Sequence, residues 1–113
     1  MVSVETVRQL GLSFPETDEH PHFHLKSFRV KKKIFITLDE EKKRVMVKLS
    51  LTDQSVFCAF DHLIIYPVPG GWGRKGATYI ELNKIKRAML KDAMTTAYCQ
   101  VAPAVLARLY ERK

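Results

Sequence analysis

From Ser27 to Leu49 the apolar residues fall at every second position, in three short runs with little between them. Ser27 to Val30 reads as one strand. Lys33 to Leu38 reads as a second, with Ile34, Ile36 and Leu38 on one face, and Arg44 to Leu49 as a third. In the third, Val45, Val47 and Leu49 turn inward while Met46 and Lys48 take the other face. Period two marks a half-buried strand. The connections, Lys31-Lys32 and Asp39 to Lys43, are far shorter than the dozen or so residues a parallel crossover needs. The middle of the chain is therefore committed to antiparallel hairpins.

The flanks read as helices and one more strand. Ser3 caps a short helix bearing Val4, Val7 and Leu10, with Gly11 as its stop, and Phe14 to Glu19 reads as a loop. Ser50 with Asp53 makes a capping pair that opens a helix carrying Val56, Phe57 and Phe60. Tyr66 to Gly73, with two prolines and three glycines, interrupts regular structure. Ala77 to Leu82 returns as a strand with Thr78, Ile80 and Leu82 on one face. Asn83 caps a long helix with Ile85, Met89, Ala93 and Ala97 at i+4 spacing, and Pro103 opens a last one bearing Leu106, Leu109 and Tyr110. The expected architecture is α+β: a mainly antiparallel sheet of about five strands with helices over one face, in a single domain spanning 1–113.

Composition narrows the class. With 46% hydrophobic residues, five Gly and five Pro, the 113-residue chain is neither disordered nor low in complexity. No run approaches the roughly 18 apolar residues of a membrane span, and Glu5, Arg8 and Gln9 interrupt any signal-peptide core. Cys58 and Cys99 belong to no C-x-x-C pair and read as free buried thiols. A cytoplasmic monomer without membrane contact is expected.

Chemistry-bearing residues are sparse. His20, His22 and His24 alternate, so one strand face would hold all three, as a zinc site requires. Along a strand, however, successive members stand about 6–7 Å apart, too far to share one ion. Cys58 and His62 are spaced as a nucleophile and base on one helix, but the thiol sits among Val56, Phe57, Ala59 and Phe60, where burial raises its pKa. Gly70 to Gly76 is glycine-rich and basic, yet it leads into a strand and not into a helix, so it is no phosphate-binding loop. No catalytic residue, metal or cofactor is assigned, and a non-enzymatic role is expected.

What remains is positive charge, 19 Lys and Arg against 12 Asp and Glu, which directs attention to a polyanionic partner. Lys31, Lys32 and Lys33 mark one hairpin connection, Lys42, Lys43 and Arg44 the next, at opposite ends of the strand they share. Trp72 with Arg74 and Lys75 adds an aromatic surface beside two cations. The second half of the chain holds most of the surplus: residues 57–113 carry nine basic against four acidic residues, including Lys84, Lys86, Arg87 and Lys91 of the long helix. A DNA-binding module using these basic residues is the leading expectation. The alternative is a small-molecule or enzyme site closed by the Pro67 to Arg74 loop, with Trp72 as wall, Arg74 holding an anion and His24 as acid–base partner. A third reading is a protein-interaction domain using the exposed sheet.

Ser27-Phe28-Arg29-Val30, Lys33 to Leu38 and Val45 to Leu49 resemble the strands of the MmcQ/YjbR-like proteins. Pro67-Val68-Pro69-Gly70-Gly71-Trp72-Gly73-Arg74, followed by Thr78 to Leu82, is similar to that family's most distinctive segment, and Val101-Ala102-Pro103 is similar as well. The resemblance covers about Pro15 to Leu109. It implies a frataxin/CyaY-like α+β fold in a small bacterial-type protein, and hairpins likened to a double wing that contacts DNA. It carries no enzymatic activity with it. Frataxins present an acidic first helix for iron; here that helix holds Glu5 opposed by Arg8.

Overall fold

The three alternating strands form as expected, inside a sheet of six. A computed structural model describes residues 1–110, so the last three residues of the expected domain lie outside the described residues. The chain runs α1 (Val4–Ser13), β1 (Thr17–His22), β2 (Leu25–Val30), β3 (Lys33–Asp39), β4 (Arg44–Lys48), α2 (Leu51–Phe60), β5 (Ile65–Pro67), α3 (Gly71–Arg74), β6 (Ala77–Glu81), α4 (Arg87–Val101) and α5 (Ala104–Ala107), then a 3-10 turn (Arg108–Tyr110). All pairings are antiparallel, in the order β1-β2-β3-β4-β6-β5.

The core lies between the sheet and α1, α2 and α4. Phe28, Val30, Ile36, Leu38, Val45, Val47 and Ile80 are buried from the sheet, and Leu90, Ala93, Met94, Ala97 and Tyr98 from α4. Burying each large apolar side chain contributes about 1.5–3 kcal/mol. Phe14 stacks on Tyr98 with ring centroids 4.8 Å apart, and the Tyr98 hydroxyl donates to the Pro15 carbonyl at 2.7 Å, which locks the end of α1 onto α4. Ser50 caps α2 as predicted, its Oγ accepting from the Asp53 N–H at 3.1 Å.

Several expectations are corrected. Gly11 does not stop α1, which runs on to Ser13; a Cβ at Gly11 would stand 2.9 Å from the Phe28 ring, so the glycine serves close packing. The expected loop up to Glu19 becomes β1 from Thr17, and β5 and α3 form inside Tyr66 to Gly73. The sheet thus has six strands. Asn83 lies in a turn in which Glu81 O accepts from the Lys84 and Ile85 N–H groups, and α4 begins at Arg87 after Lys86, with no side-chain cap. Pro103 is the cap position of a one-turn helix and Leu109 is exposed. On α2 only Phe57 of the three expected apolar residues is buried; Val56 and Phe60 face solvent.

The face assignment of β3 changes as well. Phe28 pairs with Ile36 but Arg29 with Ile34, so Phe35 is the extra residue of a bulge. Phe35 and Ile36 both enter the core, and Ile34 turns to the face without helices. The β2–β3 connection places Lys31 and Lys32 at φ +50° and +68°, the left-handed pair of a type I′ turn. The sheet ends at β1 on one side and at β5 on the other. β1 contains Pro21, and β5 has three residues closing on Pro67.

Candidate functional site

The helices cover one side of the sheet and leave the other bare. Strand pleating sends alternate side chains there: His22 from β1, Leu25 from β2, Ile34, Thr37 and Asp39 from β3, Arg44, Met46 and Lys48 from β4, and Ala77 and Tyr79 from β6. With His24, Lys42, Val68 and Trp72 they line a groove of about 470 Å³ that crosses the sheet obliquely, from the β1–β2 tip to α3. Its charged lining is Lys42, Arg44 and Lys48 against Asp39, three positive to one negative.

Arg44 holds the middle. Its guanidinium lies over Tyr79, Cζ 3.9 Å from the ring centroid, and its Nε is buried with no hydrogen-bond partner among the described residues. Behind it the Tyr66 hydroxyl donates to Glu81 Oε2. Burial first, and then the Glu81 carboxylate, push the Tyr66 hydroxyl above its ordinary range, with Arg44 pulling the other way.

Trp72 forms one end of the groove. It is 71% exposed on a rigid support. Gln54 of α2 is 8% exposed, and its Nε2 lies 2.8 Å from Gly73 O, 3.2 Å from Ala77 O and 3.2 Å from Thr78 Oγ1. Gly73 itself admits no side chain, since a Cβ would fall 1.8 Å from Val68 O. The indole is thus presented to solvent on a turn clamped from beneath. At the other end, the β1–β2 tip projects Phe23, 91% exposed with φ +58°, beside His22 at 4.9 Å between ring centroids.

The expected residues divide. Lys42, Arg44 and Trp72 meet on the groove. Lys43, at φ +55° in the same connection, and Arg74 and Lys75 after Trp72, lie outside its lining. Lys31, Lys32 and Lys33 are exposed at the opposite end of β3, and Lys31 pairs with Glu16 at 3.7 Å. Of the alternative anion site, Trp72 and His24 line the groove and Arg74 does not. His20 and His22 share the bare face of β1, but His24 lies beyond it in the turn. Cys58 and His62 do not share a helix, because α2 ends at Phe60; Cys58 and Cys99 are half-buried and form no disulfide. Lys48, Tyr79, Leu25 and Gln54 were not singled out from the sequence. Lys48 and Met46 were already on the off-core face by alternation, whereas Gln54 acts on residues 19 to 24 positions away and leaves no local signal.

The model of the YjbR family matches residues 12–100. This chain belongs to the YjbR family. A crystal structure of Deinococcus radiodurans protein DR2400, with family-model domain DUF419, has the same fold as this YjbR-family chain, at a TM-score of 0.77 and 16% identity over 88% of this chain and 78% of that one. No curated protein matches. No helix among the described residues is long and apolar enough to cross a membrane.

Proposed function

We propose that this YjbR-family chain is a nucleic-acid-binding module, most simply for DNA, and that the bare face of the sheet is its contact surface. The observation that carries the reading is the convergence of Lys42, Arg44, Lys48 and Trp72 on one groove. Cations supply the phosphate attraction that gives affinity without sequence choice, and the aromatic residue supplies a surface on which bases stack. The end of β3 and its connection to β4 also carry Asp39, Glu40 and Glu41, which would repel phosphates, and Glu40 Oε1 is partly neutralised by Lys26 Nζ at 3.0 Å. This version shifts the contact from the separated hairpin tips to the sheet. Lys43, Arg74 and Lys75 neighbour its lining residues in sequence, and Lys31 to Lys33 stand apart from it at the other end of β3.

The test is anisotropy of a fluorescein-labelled DNA titrated with the purified chain at about 50 mM salt. Binding that falls as salt rises, and that weakens in Lys42→Glu and Lys48→Glu, supports the reading. No binding at tens of micromolar protein sinks it.

A further inference from the structure

We infer that the nucleic acid this face accepts is single-stranded, with a base lying on the Trp72 indole and neighbouring phosphates on Lys48 and Arg44. This rests on the nucleic-acid reading above and narrows its ligand class. A duplex hides the faces of its bases and shows phosphates and groove edges outside. The groove is built for something else. Leu25, Ile34, Met46, Val68 and Ala77 make a largely apolar floor between the cations, and a duplex would leave it without a complement. Its volume of about 470 Å³ is that of a site for a nucleotide-sized group, within the range of small-molecule clefts.

One flat group is offered to a base. The Trp72 indole is 71% exposed yet held on the clamped turn, so little order is lost when something stacks on it. The Arg44 guanidinium is held over Tyr79 with Cζ 3.9 Å from the ring centroid, so this cation is already placed for a phosphate. Charge complementarity agrees: Lys42, Arg44 and Lys48 against Asp39 leave the lining at +2. From β1 to β6 the sheet crosses four inter-strand spacings, about 19 Å at 4.8 Å each, a path long enough for several nucleotides of an extended strand.

Trp72 is the single tryptophan of the chain, so its fluorescence reports on the proposed contact directly. The probes are a DNA oligomer of about twelve nucleotides, the same oligomer annealed to its complement, and a single nucleoside monophosphate. The single strand is expected to quench Trp72 to saturation and to bind at least tenfold tighter than the duplex. With labelled oligomer, Trp72→Ala is expected to weaken binding roughly tenfold and Trp72→Phe by less than about threefold. Because the indole is exposed, both variants should melt with the parent. If three cations contact phosphates, log K falls against log salt with slope near −2. Duplex binding as tight as or tighter than the single strand, with Trp72 unquenched, overturns the inference and leaves the nucleic-acid reading standing. A monophosphate that binds as tightly as the oligomer also overturns it, in favour of a small-anion site. If neither form of DNA binds, the nucleic-acid reading fails first.

Discussion

Replacing Gln54 with leucine tests whether one buried amide holds the Trp72 turn in place. The Gln54 NH2 has two hydrogens and three acceptors in reach, at 2.8, 3.2 and 3.2 Å. Leucine fills a similar volume and donates nothing. The acceptors are not wholly abandoned, because Gly73 O also accepts from the Gly76 N–H at 3.1 Å and Ala77 O from the Val68 N–H at 2.9 Å. The loss is then about two net hydrogen bonds, near 2 kcal/mol at roughly 1 kcal/mol each. For 113 residues the unfolding entropy at the midpoint is about 0.24 kcal/mol/K, so Gln54→Leu should lower Tm by about 8 °C. Thermal melting by circular dichroism gives that number, and steady-state anisotropy of Trp72 gives the second readout, expected to fall as the turn loosens. Gln54→Glu, which aims a carboxylate at two carbonyls, should be worse than leucine at neutral pH. If Gln54→Leu melts within about 2 °C of the parent and Trp72 anisotropy is unchanged, the amide is not the anchor.

Other perturbations follow from single sites. Gly76→Ala should lower the urea midpoint by the equivalent of about 3 kcal/mol or more, because Gly76 sits at φ +108° with a Cβ position 1.9 Å from Leu49 O. Replacing Lys31-Lys32 with Asn-Gly should raise stability by about 1 kcal/mol in the same assay, since the left-handed turn then carries the residues that prefer it. Hydrogen bonds from Arg29 at 2.8 and 3.0 Å hold the Asp18 carboxyl below the usual carboxylate range. A depressed folded-state pKa stabilises above the unfolded value near 4 and is lost as pH falls through the folded value, so Asp18→Asn should flatten the change in urea midpoint below about pH 4. Burial pushes the Cys58 thiol up, so in a Cys99→Ser background it should react with a disulfide reagent more slowly than free cysteine at about pH 8.

The strands that were legible are those with one wet face and one dry face. β2, β3, β4 and β6 carry apolar residues into the core beneath the helices and polar or mixed residues on the face no helix covers. β1 was missed because neither of its faces is apolar: Glu19 meets Arg8 of α1 at 2.7 Å, and Asp18 meets Arg29 on the bare face. Ionic partners seven to eleven positions away leave no periodic trace in a six-residue strand. The bulge at Phe35 was illegible for a related reason. One added residue shifts Ile34 to the other face, and Lys33 to Leu38 reads as equally regular either way. Half of the groove was visible as charge and aromaticity in Lys42, Arg44 and Trp72. The other half, Leu25, Lys48 and Tyr79, consists of ordinary strand residues that matter because their neighbours across the ladder face the same way.

The two edges of the sheet decide how this molecule can be approached. Proline at position 21 removes a backbone donor from one flank, and on the other the three residues from Ile65 end on a proline with a second, Pro69, two positions later. Each flank offers only an interrupted ladder to a second chain. Copies crowded together in a cell are therefore kept from zipping into a longer sheet, and the broad bare surface can stay open to solvent without becoming a seed for fibres.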